Sequence, residues 1–481
     1  MSFLELVPWQ TLATLAFVYL ASLVFYRLFL HPLARFPGPK LAAITRYYEG
    51  YHDVVRNGQY TFRIAEMHKQ YGPIVRISPY ELHINDPSYY EKLYRQDGRW
   101  NKDDWAYDAF GAPMSSICSV DHDLHKRRRA PLNPFFSKVN VSRRQHMIQE
   151  LVDTLCERLD RLQGSTVNIS TAISAFTRDV ATDFVLGKNY HNLDNENFGA
   201  DMTNVLQSSG AIWRTTKHVR FLGPLMKSLP MDWIEKTGDA GTKAFFGFLK
   251  DCLQTTKDIV SSHTSSSTKA TDDTQHETII HAILHSNLPA PEKTVARIND
   301  EVGTITGAAF ETAAQSIRTI LYHLYSDQDI LARLRAELAI AHQGGDGQLA
   351  ISDLEQLPFL NGVIREGLRL SPGLATRLAR VAPDRDLFYN EWRIPAGTPV
   401  GMTAFPEPKK FIPQRWIGEA KTSDKTLAWA EMYIVVARLV QRFDLQLQGA
   451  GPKDVECVSD QFIIGTADPS GIRAIVTRYQ G

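Results

Sequence analysis

The stretch from Asp300 to Tyr325 constrains this chain more than any other. It reads as a long, largely apolar helix in which an acid and an alcohol, Glu311 and Thr312, stand side by side in the small-residue half. Gly307, Ala308 and Ala309 leave room for something flat against that helix. A Thr hydroxyl can bond the carbonyl four residues earlier and open the helix locally. Together these make a wall with a notch. Taken alone, a polar pair on an apolar helix is more often a satisfied core feature than a site, so its meaning depends on its neighbours.

A chain of 481 residues can bury a large core. Its 53 basic and 53 acidic side chains cancel, so no global field points to nucleic acid and none is expected as a partner. Cys118, Cys156, Cys252 and Cys457 show no paired spacing, which argues against a disulfide framework or a zinc site and suits a reducing compartment. From Leu6 to Tyr26 no charge interrupts an apolar run of the length, about 20 residues, that crosses a hydrocarbon core. Glu5 precedes that run while Arg27, His31, Arg35 and Lys40 follow it, so the positive-inside bias places the rest of the chain on the cytoplasmic side. A cleaved signal would carry its positive charge ahead of the run. The reading is an uncleaved single-pass anchor over residues 1–31 and a stiff, non-helical Pro-rich hinge over 32–40, with one large domain over 41–481.

The large domain reads as mainly helical. Ile74–Ile77 and Glu81–Ile84 alternate as a hairpin. Amphipathic helices are expected over Asn140–Gln163, Ser170–Leu186, Gln328–His342, Leu354–Leu370 and Leu427–Phe443, with a strand over Asp444–Leu447. The aromatic-rich stretch Gly210–Phe246 is either packing core or the roof of an apolar pocket that dips into a membrane surface. Ser261–Gln275 reads as a mobile surface loop. Glu366 and Arg369 share one helix face, a spacing that is usually a solvated pair. Arg415 could complete a buried Glu-Arg-Arg group, in which each ion is costly to bury unless fully paired.

The anchor, Pro37-Gly38-Pro39, the acid-Thr pair, Glu366-x-x-Arg369 and the Phe411–Trp416 segment, in this order, resemble the haem-thiolate monooxygenases, cytochrome P-450. The resemblance spans essentially the whole chain. Asp97–Lys102 and Ala130–Ser137 look like fungal secondary-metabolism members of the type that oxidise trichodiene. It implies a mainly α fold with small β-sheets after a single transmembrane helix, a haem cofactor and an endoplasmic-reticulum membrane. It also implies electrons from a flavoprotein reductase, and dioxygen-dependent oxidation of an apolar small molecule such as a terpenoid. Carried over residue by residue, Glu311 and Thr312 would deliver protons to dioxygen at the iron. Arg129 and Arg380 would bond the haem propionates, and Glu366, Arg369 and Arg415 would form the family's structural triad.

Three departures stand against this pattern. The family's Cys-containing loop belongs between the Trp416 segment and the last long helix, and no cysteine lies between Trp416 and Leu427. Cys457 comes after that helix and lacks the Phe and Gly frame of the loop. A second seam joins Ala404 directly to Phe405, and Phe310 could crowd the oxygen notch. No metal ligand is therefore assigned, and the chain as written is expected not to ligate haem iron. The alternatives are a non-catalytic, membrane-anchored relative that binds a lipophilic ligand or a partner, and an incomplete gene model or splice form of an active enzyme.

Overall fold

The computed structural model describes residues 9–228, 230, 236–265, 277–342, 349–371, 373–402, 410–417 and 427–480. Both seams, at 404/405 and within 418–426, lie outside the described residues. Helix α1, Trp9–Phe25, buries no side chain. With the wider turn that continues it, Trp9–Leu30 is long and apolar enough to cross a membrane, by length and composition. The Pro-rich segment behind it is docked onto the protein. Leu33 and Phe36 are buried, and Phe36 stacks on Trp392 at 4.9 Å. The Pro37 carbonyl accepts from the Arg76 amide at 2.7 Å, and any side chain at Gly38 would collide with the Arg76 carbonyl.

In chain order the principal helices are α2 His122–Arg129, α3 Gln145–Arg161, α4 Ile169–Leu186, α5 Ala200–His218 and α6 Ala240–Ser265. They continue with α7 Val295–Ser326, α8 Gln328–His342, α9 Pro358–Leu370 and α10 Leu427–Arg442. Helix α4 is buried almost all round, because small and apolar residues cover every face, and it packs along α7 at the centre of the molecule. Asn168 caps its start and Gly187, at φ +66°, ends it, a backbone conformation that costs glycine little. One core of buried apolar side chains joins α3, α4, α7, α9 and α10.

Strands occupy the margins. The strands β1 Ile74–Arg76, β2 Leu82–Ile84 and β3 Asn101–Lys102 belong to one sheet, and β4 Thr166–Asn168 belongs to another. After α9 come β5 Arg380–Val381 and β6 Pro399–Met402, and after α10 come β7 Phe443–Leu447 and β8 Arg473–Arg478. The first sheet has the order β1-β2-β6-β5-β3, with β2 parallel to β6 in the register Leu82 to Val400. Its far edge sets Lys102 directly opposite Arg380. The second sheet has the order β4-β8-β7.

Several expected boundaries move for local reasons. The helix expected over Asn140–Gln163 breaks at Arg144, which leaves the helical region and sends its guanidinium to the Phe184 carbonyl at 2.8 Å. The helix expected from Leu354 starts at Pro358, since proline lacks an amide donor and suits a first helical position. The loop expected from Ser261 is still helix through Ser265, with the Ser262 hydroxyl bonding the Asp258 carbonyl; the rest of that segment lies outside the described residues. In the aromatic-rich stretch, Trp213 is buried while Phe221 is exposed, and Met231 and Trp233 lie outside the described residues.

Candidate active site

Helix α7 presents two unlike faces around its acid-alcohol pair. Ala308, one turn before Thr312 and so on the same face, is exposed, and the helix is open along that side. Thr312 is half-buried and donates to the Ala308 carbonyl at 2.9 Å; across from it, a side chain at Gly373 would come within 3.8 Å of its Cβ. The hydroxyl makes the expected bond, yet the helix does not open, and Val295–Ser326 runs as uninterrupted α-helix. Phe310 does not crowd the notch. Two positions on a helix are about 200° apart, and Phe310 is buried on the opposite face, 5.4 Å from Phe248. Its carbonyl accepts from Thr177 at 2.8 Å, which ties α7 to α4.

Glu311 is 5 % exposed and is turned from the open side toward Arg318, whose Nη2 lies 2.8 Å away. Arg318 is in turn held by the Ser170 carbonyl and by Ser174 and Gln315. One carboxylate oxygen of Glu311, Oε1, is buried without a hydrogen-bond partner among the described residues.

The basic run on α2 splits into two roles. Arg128 is buried and bonds Glu292 at 2.8 and 3.0 Å, and Glu292 also binds Arg297. Arg129, one residue on, has no acidic partner among the described residues and lies 5.9 Å from the Phe136 ring. Arg380 spends one donor on the Arg95 carbonyl at 2.9 Å and lies over Tyr94 and Trp100, again with no carboxylate. Two further bases join them. Lys102, opposite Arg380, donates to the Ser116 and Ile117 carbonyls, and burial brings its ammonium down to about 8. His125 sits one helical turn before Arg129; burial first, then Lys102, Arg129 and His122, bring its pKa down to about 4. Glu301 on α7, already bound to Arg297 at 2.6 Å, holds Ser116 by its amide and hydroxyl, so this group of bases is fastened to the central helix.

Glu366 is organised the other way. It is fully buried and accepts from Arg369 at 2.8 and 2.9 Å, from the Ile412 amide at 2.8 Å and from the Trp416 indole at 2.8 Å; Arg415 Nε lies 3.2 Å away. Burial opposes its charge, but these donors outweigh it and hold the carboxyl below its ordinary value. All three expected members of this group therefore meet.

A haem asks two things of a protein: cations for its carboxylates and an axial ligand for its iron. Arg129, Arg380 and Lys102 fit the carboxylates as cations with too few acids, and the neutral His125 ring beside them offers a further N–H donor. Iron asks for a thiolate, and the cysteines do not fit. Burial pushes the Cys156 and Cys252 thiols up to about 12 and Cys457 up to about 11, and it raises Cys118 too. None of the four cysteines lies between Trp416 and Leu427. Cys457 is further occupied with the Ser459 carbonyl at 3.6 Å.

Comparison with known proteins places this geometry. The family model described as Cytochrome P450 matches residues 49–426. The chain is 34% identical to the cytochrome P450 monooxygenase MO6277 of Ascocoryne sarcoides, with 95% of this chain and 96% of the relative covered. It is 35% identical to the conidiogenone synthase PchP450 of Penicillium rubens, covering 90% and 91%. It is 34% identical to the cytochrome P450 monooxygenase TRI4 of Fusarium sporotrichioides, covering 91% and 89%. With a mainly helical fold, a central helix carrying an acid-alcohol pair and fungal monooxygenases as relatives across nearly its whole length, this chain belongs to the cytochrome P450 family of haem-dependent oxidoreductases.

Proposed function

We propose that this chain comes from a membrane-anchored monooxygenase that oxidises an apolar secondary metabolite of terpenoid kind with dioxygen, and that its 481-residue form lacks the loop that would supply the iron ligand. The observation that carries the reading is a complete oxygen-side wall beside a cysteine-free interval. Exposed Ala308 and half-buried Thr312 leave an open face, while the segment between Trp416 and Leu427 holds no cysteine. The relatives support a loss of residues. The matches to MO6277 and to the monooxygenase sdnE of Sordaria araneosa extend over 496 and 510 residues, more than the 481 this chain has. Gradual decay would have eroded Glu366, Arg369 and Arg415, and these remain assembled.

In this reading residues 1–31 anchor the chain in the endoplasmic-reticulum membrane, 32–40 fix the domain to the anchor, and 41–481 lie on the cytoplasmic side, where a flavoprotein reductase delivers electrons. Arg129 and Arg380, with Lys102 and His125, take the haem carboxylates. Glu366, Arg369 and Arg415 serve architecture. Thr312 stands at the open face, and Glu311 must leave Arg318 to pass a proton toward it.

The transcript across Met402–Met432 tests the proposal. The expected result is a major message that encodes a cysteine-containing loop between Trp416 and Leu427. A message without one in every transcript overturns the incomplete-form reading and leaves a binding protein in its place. The 481-residue chain, expressed as it stands, is expected to give no thiolate-type Soret band when reduced under carbon monoxide, and such a band would overturn the claim that it has no iron ligand.

A further inference from the structure

A cavity of about 550 Å³ lies at the foot of α1, and no α7 residue lines it. Its lining includes Arg27, Arg46, Tyr80, Asp103, Trp105 and His218. Three of these carry a polar atom that is buried and unpartnered among the described residues: Arg46 Nη1, Trp105 Nε1 and His218 Nδ1. Such atoms are expensive to leave unsatisfied, and three around one cavity is a pattern rather than an accident of packing. We propose that this cavity binds a phosphate ester, with Arg46 as its cation and the Trp105 indole as its second donor.

The chemistry of the orphaned atoms selects the ligand. A guanidinium and an indole N–H can only donate, so what is missing is an acceptor. Arg46 makes no ion pair among the described residues; its guanidinium lies over the faces of Trp105 at 4.2 Å and Tyr80 at 5.5 Å. A second guanidinium, that of Arg220, lies 4.2 Å from the Trp105 ring centre, and it is already satisfied by Asp108 and the Trp105 carbonyl, each at 3.1 Å. Two cations therefore flank one ring while only one has its acid. An anion at the free guanidinium completes the set. The volume exceeds what a lone carboxylate needs and falls within the range of small-ligand sites.

The acids nearby do not take this role. Asp103 lines the cavity, but burial, then Glu81, push its carboxyl up to about 7 against the pull of Arg46 and Arg377, so it can hold a proton and donate to a phosphate oxygen. Asp104 is exposed at the rim. Behind the cavity, Glu49, Asp53 and His218 have a spacing that could hold a metal ion, but Lys217 Nζ already sits 2.8 Å from Glu49 and 2.6 Å from Asp53. That cluster is closed, and it steadies His218 as the inner wall.

The position suggests where the phosphate comes from. Arg27 follows the apolar stretch of α1 directly and donates to the Tyr80 hydroxyl at 2.7 Å, so the cavity opens where an anchored chain would meet phospholipid headgroups. The same chemistry would accept a soluble phosphate ester. The full chain, reconstituted in nanodiscs of phosphatidylcholine containing a minor share of phosphatidic acid, separates the two when co-purifying lipid is counted by native mass spectrometry. Recovery in the discs reports the anchor on its own. Phosphatidic acid is expected to be enriched about tenfold over its share in the disc, equivalent to about 1.4 kcal/mol, and Arg46→Ala is expected to abolish the enrichment. Trp105→Phe keeps the ring between Arg46 and Arg220 while removing the N–H; it is expected to lower the enrichment and serves if Arg46→Ala fails to fold. In discs of phosphatidylcholine alone, a rise in melting temperature on adding glycerol 3-phosphate, lost in the same variants and without lipid enrichment, assigns the site to a soluble ester. Neither enrichment nor a shift, or effects that persist unchanged in both variants, would overturn the proposal.

Discussion

Glu366 and the bases around Lys102 are charged groups built to opposite plans. At Glu366 one buried carboxylate accepts from Arg369, Trp416 and the Ile412 amide, with Arg415 at its edge, so the protein itself supplies every partner. Around Lys102 and Arg380 four bases converge while the nearest acid, Glu301, is already committed to Arg297 and Ser116. A closed group of charges holds elements together, and an unbalanced one waits for a ligand. Loss of a member should therefore damage the fold in the first case and binding in the second.

The largest expected effect is at the closed group. Glu366→Ala leaves two guanidiniums without their acid and is expected to cost about 3–5 kcal/mol of stability, read from urea unfolding. A loss near zero would erase the contrast. Next, Arg129→Gln and Arg380→Gln should each weaken binding of protoporphyrin IX, which carries the haem carboxylates without iron, by about 1.5–3 kcal/mol in a fluorescence titration. The unliganded stability of either variant should stay within about 0.5 kcal/mol of the parent. Equal effects on both would show that these bases are structural as well.

His125 sharpens the same contrast through pH. Its folded value, about 4, lies below its ordinary 6.5, so folding favours the neutral ring. That stability is fully present above pH 6.5 and is lost as pH falls toward 4. The urea midpoint should fall over this window, and His125→Asn should flatten part of the fall; His323, also brought down to about 4 by burial, accounts for a remainder. An unaltered profile in the variant would remove His125 from the cluster. The smallest effect is expected at Thr312→Val, about 0.5 kcal/mol or less, because the hydroxyl fronts open space and bonds only its own helix. A larger loss would mean that this face is packed.

How much of this was legible in the sequence depended on range. Helix α8 appears at its expected bounds, Gln328–His342, because amphipathic period and helix-breaking glycines are local signals. The Glu366 group was also readable, since Glu366 and Arg369 are three apart and Arg415 sits in a distinctive Pro-x-Arg-Trp segment. Sequence reasoning does not single out Lys102 or His125 as site residues, although Lys102 lies in the Asp97–Lys102 run that carries the family likeness. What assigns them is the pairing of Lys102 with Arg380 across the sheet, a long-range contact that no local pattern encodes. Phe310 reads as a neighbour of the notch because it adjoins the acid-alcohol pair in sequence, whereas the helix turns it to the far side of Thr312. The cavity at Arg46 has no local signal, since it is assembled from six separate segments.

The parallel pairing of β2 with β6 also sets the order in which this molecule can be made. Leu82 meets Val400 only after the ribosome has added the intervening chain, which at about 5–20 residues per second takes on the order of ten seconds to a minute. Throughout that interval the free edge of β2 is a bare row of amides and carbonyls, open to a neighbouring nascent chain. The interval closes when Val400 and Met402 emerge and the first sheet is sealed. Production of this chain should therefore depend on chaperone supply more than the final stability of its core would indicate.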